Sequence, residues 1–231
     1  MANRRLGGST GPDGSVCGPC DMGSLPSVTD VRAMVFDVGG VLLDWDPERI
    51  YEELIPEPVE RRRFLAEIVT SEWNRRQDGG RTFAEGVREL VERHPEHAEL
   101  IVAYHHNWTR SLGPEIGGTV ALLRELKAAG MPVYGLTNFS AETWPSALEA
   151  FPVLAELDGV VVSGMERTLK PEARIYRLLT DRFGLDAATV FFTDDTPANV
   201  DGAVAAGWQA VVFEDADGLR RDMRERGLPV G

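Results

Sequence analysis

Ala33-Met34-Val35-Phe36-Asp37-Val38-Gly39-Gly40-Val41 is an apolar run that ends on an aspartate and opens directly onto a glycine turn. A carboxylate at the C-terminal end of a buried strand stands where open parallel sheets place their chemistry. Three later segments carry the partners such an aspartate needs. Leu136-Thr137-Asn138 closes a second strand with a hydroxyl and an amide, and Lys170-Pro171-Glu172-Ala173-Arg174 sets a lysine just ahead of a helix. Val190-Phe191-Phe192-Thr193-Asp194-Asp195 closes another strand with two acids. Carboxylate, polar anchor, cation and acid pair, in that order, point to phosphoryl chemistry through an aspartyl-phosphate.

Around these segments the sequence alternates strands and helices. The strand from Val31 to Asp37 is followed by Met131 to Thr137, Gly159 to Ser163, Val190 to Thr193 and Gln209 to Phe213. Helical stripes intervene: Val120, Leu122, Leu123 and Leu126, stopped by Gly130; then Ile175, Leu178, Leu179 and Phe183; then Pro197 to Ala206, stopped by Gly207. This order predicts an α/β fold, a doubly wound parallel sheet with helices on both faces. Between Asp46 and about Gly118 the strand signals vanish. Asp46-Pro47-Glu48 reads as a helix start. Thr82-Phe83-Ala84-Glu85 has the capping-box pattern, and Phe64, Leu65, Ile68 and Val69 recur at helical spacing. The expected organisation is a tail over 1–30, an α/β core over 31–45 and 117–231, and an inserted all-helical cap over 46–116.

The chain has 231 residues, enough for such a core and a small second domain, and a net charge of −13. That charge argues against nucleic-acid and anionic-membrane surfaces, both of which need basic patches. No apolar run approaches the roughly 18 residues of a membrane span, and the N-terminus lacks a signal-peptide core. A cytoplasmic enzyme, monomer or homodimer, is the expectation. Both cysteines lie in Cys17-Gly18-Pro19-Cys20, spaced like a redox pair, but the strand before and helix after that such chemistry needs are missing. The surrounding Gly/Ser/Pro-rich segment reads as a flexible tail.

The segments Phe36 to Asp44, Leu136 to Asn138, Lys170 to Tyr176 and Phe191 to Val200 together resemble the four motifs of the haloacid dehalogenase superfamily, with an α-helical cap inserted after the first. Within it they are most similar to a branch of small sugar-phosphate phosphatases that includes glucose-1-phosphate phosphatases. The resemblance implies a Mg²⁺-dependent phosphatase acting on a small phosphorylated metabolite. Asp37 would be the nucleophile, and Asp37, the Gly39 carbonyl, Asp195 and Asp194 would hold the metal, Asp195 ahead of Asp194 as a direct ligand. Thr137 would hydrogen-bond the phosphoryl oxygens, with Gly40 and Asn138 beside it. Lys170 would neutralise the charge of Asp37 and phosphate, and Asn199 would orient metal ligands.

One departure stands out. Most phosphatases of the superfamily carry a second aspartate, the general acid and base, two residues after the nucleophile, where this chain has Gly39. Such help is worth about 10²–10⁴-fold, so substrates with good leaving groups are expected, such as an anomeric sugar phosphate or an acyl phosphate. Asp44 or Asp46 would be the replacement acid, although Asp46 also reads as a helix cap. In the insert, Ser71 to Gly80 reads as a loop. There Trp73 would stack on a sugar face and Arg75 or Arg76 grip a second anion, or else Trp73 packs the cap and the arginines are solvated. His94, His97, His105 and His106 read as surface helix positions rather than metal ligands. A metal-independent 2-haloacid dehalogenase is the first alternative, although it has no use for two adjacent acids. A catalytically weak binding or regulatory relative is the second.

Overall fold

The computed structural model describes residues 30–231, so the tail and the Cys17/Cys20 pair lie outside the described residues. In chain order the elements are β1 (Ala33–Phe36), β2 (Leu43–Trp45), α1 (Pro58–Glu67), α2 (Ser71–Asp78), α3 (Phe83–Arg93) and α4 (Ala98–His106). Then come β3 (Leu112–Glu115), α5 (Gly117–Ala128), β4 (Val133–Thr137), α6 (Trp144–Ala150), β5 (Gly159–Val162) and α7 (Ser163–Glu166). The chain closes with α8 (Ala173–Phe183), β6 (Val190–Asp194), α9 (Pro197–Ala205), β7 (Gln209–Val212) and α10 (Ala216–Glu225).

Five strands form one all-parallel sheet in the order β5-β4-β1-β6-β7. The chain builds outward from β1 through β4 to β5, then returns to the other side of β1 for β6 and β7. β1 is therefore central, and its neighbours leave it in opposite directions, the arrangement that opens a crevice at the carboxyl ends of the strands. Every side chain of β1 is buried, because helices cover both faces. One apolar cluster packs Met34 and Phe36 against α5 residues such as Leu122 and Leu126. The other packs Val35, Phe192 and Leu136 against Ile175, Tyr176 and Leu179 of α8. Register does the positioning: Phe36 pairs with Thr193 and with Gly135, so Asp37, Thr137 and Asp194 emerge side by side.

The local signals act as their residues dictate. Thr82 accepts from Glu85 N–H while Glu85 reaches back to the Thr82 N–H, a closed capping box. Asp46 caps a short 3₁₀ turn, Pro47–Ile50, instead of an α-helix. α5 and α9 end at Gly130 and Gly207, whose φ values of +78° and +91° suit glycine. Two expectations are corrected. Leu112–Glu115 is a strand, held by antiparallel pairing with β2 through Leu43–Glu115 and Trp45–Leu112. And Ser71–Asp78 is a helix, begun by Thr70 accepting from the Trp73 N–H. Among the described residues no helix is long and apolar enough to cross a membrane.

Candidate active site

Asp37 leaves the end of β1 into a turn closed by Val38, whose carbonyl accepts from the N–H groups of Leu42 and Leu43 at 2.9 Å each. Asp37 is 7% exposed. Its Oδ1 accepts from the Val38 N–H at 2.7 Å and faces Lys170 Nζ at 2.8 Å. Among the described residues Oδ2 takes no hydrogen bond.

Lys170 is fully buried, and an isolated buried ammonium would lose its proton. This one is held by three acceptors, one for each N–H: Asp37 Oδ1 at 2.8 Å, Asp194 Oδ2 at 2.6 Å and the Leu136 carbonyl at 2.9 Å. Burial works against the charge, but the two facing carboxylates outweigh it and hold the Lys170 pKa above its ordinary value. Its main chain is fixed as firmly. Asn138 Oδ1 accepts from the Lys170 N–H at 2.8 Å while Asn138 Nδ2 donates to the Lys170 carbonyl at 3.1 Å. Asn138 thus lines the cavity while its side chain is committed to placing the lysine.

The two acids after β6 differ. Asp194 is fully buried and accepts from Lys170, from the Thr196 N–H at 2.9 Å and from Asn199 Nδ2 at 2.9 Å. Asn199 is oriented in turn by Tyr176, whose hydroxyl donates to its carbonyl at 2.7 Å. Asp195 is exposed and lines the cavity. Gly40, at φ +75°, lies so close to it that a Cβ would stand 2.3 Å from Asp195 Oδ2. Although the residue is exposed, desolvation of its carboxylate at the cavity raises the Asp195 pKa, and the neighbouring Asp194 carboxylate adds to the rise. Burial likewise pushes Asp37 upward, against the pull of Lys170 and with the push of Asp194.

Carboxylate oxygens of Asp37, Asp194 and Asp195 lie within 4.8 Å of one another. Three carboxylates against one ammonium leave an excess of negative charge that a divalent cation would relieve. The donors are all hard oxygens, and the glycine cradle leaves Asp195 free to approach, so the residues present fit Mg²⁺.

These groups border a cavity of about 280 Å³. Thr137, Asn138, Gly39 and Gly40 reach it, as the sequence suggests. Of the insert's candidates only Arg75 does; its Nη2 donates to the Lys170 carbonyl at 3.0 Å. Trp73 is corrected. It is 4% exposed, packs edge-on to Phe83 and Tyr104, and donates its indole N–H to the Gly86 carbonyl, so it belongs to the insert's core and not to the cavity. Arg76 is corrected too, since it points outward to Glu72 and Glu89. Nor do the proposed replacement acids reach the cavity lining: Asp44 pairs with Arg49, and Asp46 caps its turn. The histidines act as surface groups, His105 stacking on Phe83 and His97 meeting Phe64 edge-on.

The cavity also holds residues that the sequence reading passed over. Trp45, Trp108, Leu112 and Phe139 form an apolar part of its lining, and Asn74 and Asp78 of α2 a polar part. The alternation of polar residues in Asn74-Arg75-Arg76-Gln77-Asp78 carried no hint of which would turn inward.

The comparisons agree with this geometry. A family model described as haloacid dehalogenase-like hydrolase matches residues 31–207. The sesquiterpene phosphatase astK of Aspergillus oryzae is 28% identical over 85% of this chain and 97% of its own length. The (S)-2-haloacid dehalogenase 4A of Burkholderia cepacia is 27% identical over 80% of this chain and 83% of its own. A HAD-family enzyme from Bacteroides thetaiotaomicron, solved with magnesium and inorganic phosphate, shares the fold with a TM-score of 0.63 and 24% identity, over 80% of this chain and 95% of that one. With its four motifs, three at strand ends and one ahead of a helix, gathered round one cavity, and the family model spanning most of its length, this chain belongs to the haloacid dehalogenase-like hydrolases.

Proposed function

We propose that the protein is a Mg²⁺-dependent phosphatase that hydrolyses a small phosphorylated metabolite through an aspartyl-phosphate on Asp37. The observation that carries this reading is the charge count at the cavity: three carboxylates within 4.8 Å of one another, with Lys170 the one cation ion-paired to them among the described residues. Bound among Asp37, Asp195 and the Gly39 carbonyl, Mg²⁺ would supply the charge that lets a phosphate dianion approach an aspartate.

The chain's own residues do the rest. Asp37 Oδ2, free of hydrogen bonds among the described residues, attacks phosphorus, while Lys170 fixes Oδ1 and keeps the carboxylate from turning. Thr137 stands at the cavity as a donor to the phosphoryl oxygens, whose charge grows through the displacement. Asn199 and Thr196 hold Asp194, and Asp194 in turn holds Lys170. Water then hydrolyses the phospho-enzyme.

The division into a core of 31–45 and 117–231 and a cap of 46–116 belongs to the same proposal. Asn74, Arg75 and Asp78 come to the cavity from that insert, and the β2–β3 ribbon forms its neck. With Trp73 buried, aromatic contact with substrate falls to Trp45 and Trp108, which join Leu112 and Phe139 in the lining. Such a wall suits a leaving group with an apolar face, and the sesquiterpene phosphatase among the relatives supports that choice.

The dehalogenase reading has one support, the relatives that carry that chemistry. The uncompensated acids oppose it, because a haloacid brings another carboxylate. Turnover of p-nitrophenyl phosphate that needs Mg²⁺ and stops with EDTA is the expected result. Halide release from 2-chloropropionate without metal would replace the proposal with the dehalogenase reading.

A further inference from the structure

Gly39 leaves the strand-end turn without a proton donor, yet an acid does reach the cavity. Asp78, the last residue of α2, lines the same cavity as Asp37 and Thr137. Its place is fixed from both sides of the seam between insert and core. Ser163 Oγ donates to the Asp78 main-chain carbonyl at 2.6 Å, and the Ser140 N–H bonds its carboxyl group. From its own helix, Asn74 Nδ2 donates to Asp78 Oδ2 at 3.0 Å.

Two features beside burial favour the neutral form of this carboxyl group. Among the described residues no cation stands within ion-pair distance of it. It also sits at the carboxyl end of a helix, where the macrodipole disfavours negative charge. Burial is the largest influence and pushes the Asp78 pKa to about 8, against the nearby Arg75 guanidinium and the Ser140 hydrogen bond. Tyr104 of α4 is the other titratable group that feels Asp78, and burial holds its phenol protonated well above the ordinary range.

We propose that Asp78 protonates the departing oxygen, the general acid being delivered by the helical insert and not by the turn after β1. This rests on the phosphatase reading above. As Asp37 Oδ2 bonds to phosphorus, the bond between phosphorus and the leaving oxygen breaks, and that oxygen takes the Asp78 proton. The products of this step are the neutral alcohol, the aspartyl-phosphate and the Asp78 carboxylate. In the second step water attacks phosphorus and gives a proton to Asp78. The bond from phosphorus to Asp37 breaks, releasing inorganic phosphate and restoring both side chains. The acid is then present only when the insert sits against the core.

The test is Asp78→Asn across phosphate esters of graded leaving-group pKa, from p-nitrophenyl to alkyl, with Mg²⁺ present. General acid help is worth about 10²–10⁴-fold, so kcat/KM for the alkyl ester should fall by that factor while p-nitrophenyl phosphate changes little. The wild type should show an alkaline limb near pH 8 with the alkyl ester that is absent with the p-nitrophenyl ester, a comparison that needs no variant to fold. An equal loss on every ester, no loss on any, or identical wild-type pH profiles for the two esters would each overturn the proposal. Absence of metal-dependent turnover of any ester by the wild type would instead remove the phosphatase reading, and this role with it.

Discussion

Lys170 and Asp37 form a buried ion pair, Nζ to Oδ1 at 2.8 Å, and the same ammonium reaches Asp194 at 2.6 Å. Removing the lysine leaves two buried carboxylates facing each other. Lys170→Met should therefore lower stability by about 3–5 kcal/mol, the cost of breaking a buried pair. Urea unfolding in the absence of Mg²⁺ measures this. Lys170→Arg should not restore activity, because a planar fork cannot point single N–H groups at three acceptors arranged for an ammonium. A stable, active Lys170→Met protein would show that the pair is incidental.

Gly40 and Asp195 make the second test. In Gly40→Ala the new Cβ would meet Asp195 Oδ2 at 2.3 Å, in a backbone held at φ +75°. The left-handed conformation alone costs about 1–2 kcal/mol for an L-residue. The displaced carboxylate should also raise the Mg²⁺ concentration needed for half-maximal turnover. A metal titration of p-nitrophenyl phosphate hydrolysis reads the second effect and thermal unfolding the first. An unchanged metal requirement would dissociate Asp195 from the cation.

Asp78 ties stability to pH. Its pKa rises from the usual 3.8 to about 8 on folding, so between those values the folded chain holds a proton that the unfolded chain has lost. Stability must then fall as pH rises through that window. Asp78→Asn, which cannot ionise, should escape this loss, and its advantage over the wild type should grow between pH 5 and pH 8. Parallel stability curves for the two proteins would show that the carboxyl group titrates as it does in water.

Trp73 offers a contrast between packing and binding. Trp73→Phe removes an indole N–H bond to the Gly86 carbonyl, which keeps its partner within α3, so the loss should be about 0.5–1.5 kcal/mol. Since Trp73 does not line the cavity, KM should stay as it is. A raised KM with unchanged stability would return this ring to the substrate.

The strand-end residues were legible because their position in the chain fixes their position in space. A carboxylate after Ala33–Phe36 and a threonine after Val133–Leu136 must emerge at the same sheet edge once the strands run parallel. Lys170 was legible from its motif, though not the way Asn138 clamps its main chain. The insert was harder. α2 has a single apolar residue, Trp73, followed by two glycines, so periodicity had nothing to count, and the segment read as a loop. Asp78 passed unnoticed for the same reason. Leu112-Gly113-Pro114-Glu115 has residues that weaken strands, and only its pairing with β2 makes it one.

The hydrogen bond from Arg75 to the Lys170 carbonyl has a mechanical meaning. The guanidinium belongs to α2 and the carbonyl to the residue whose ammonium pairs with Asp37. One side chain thus joins the helical segment to the main chain that carries the buried charge, so a shift of either would be felt by the other.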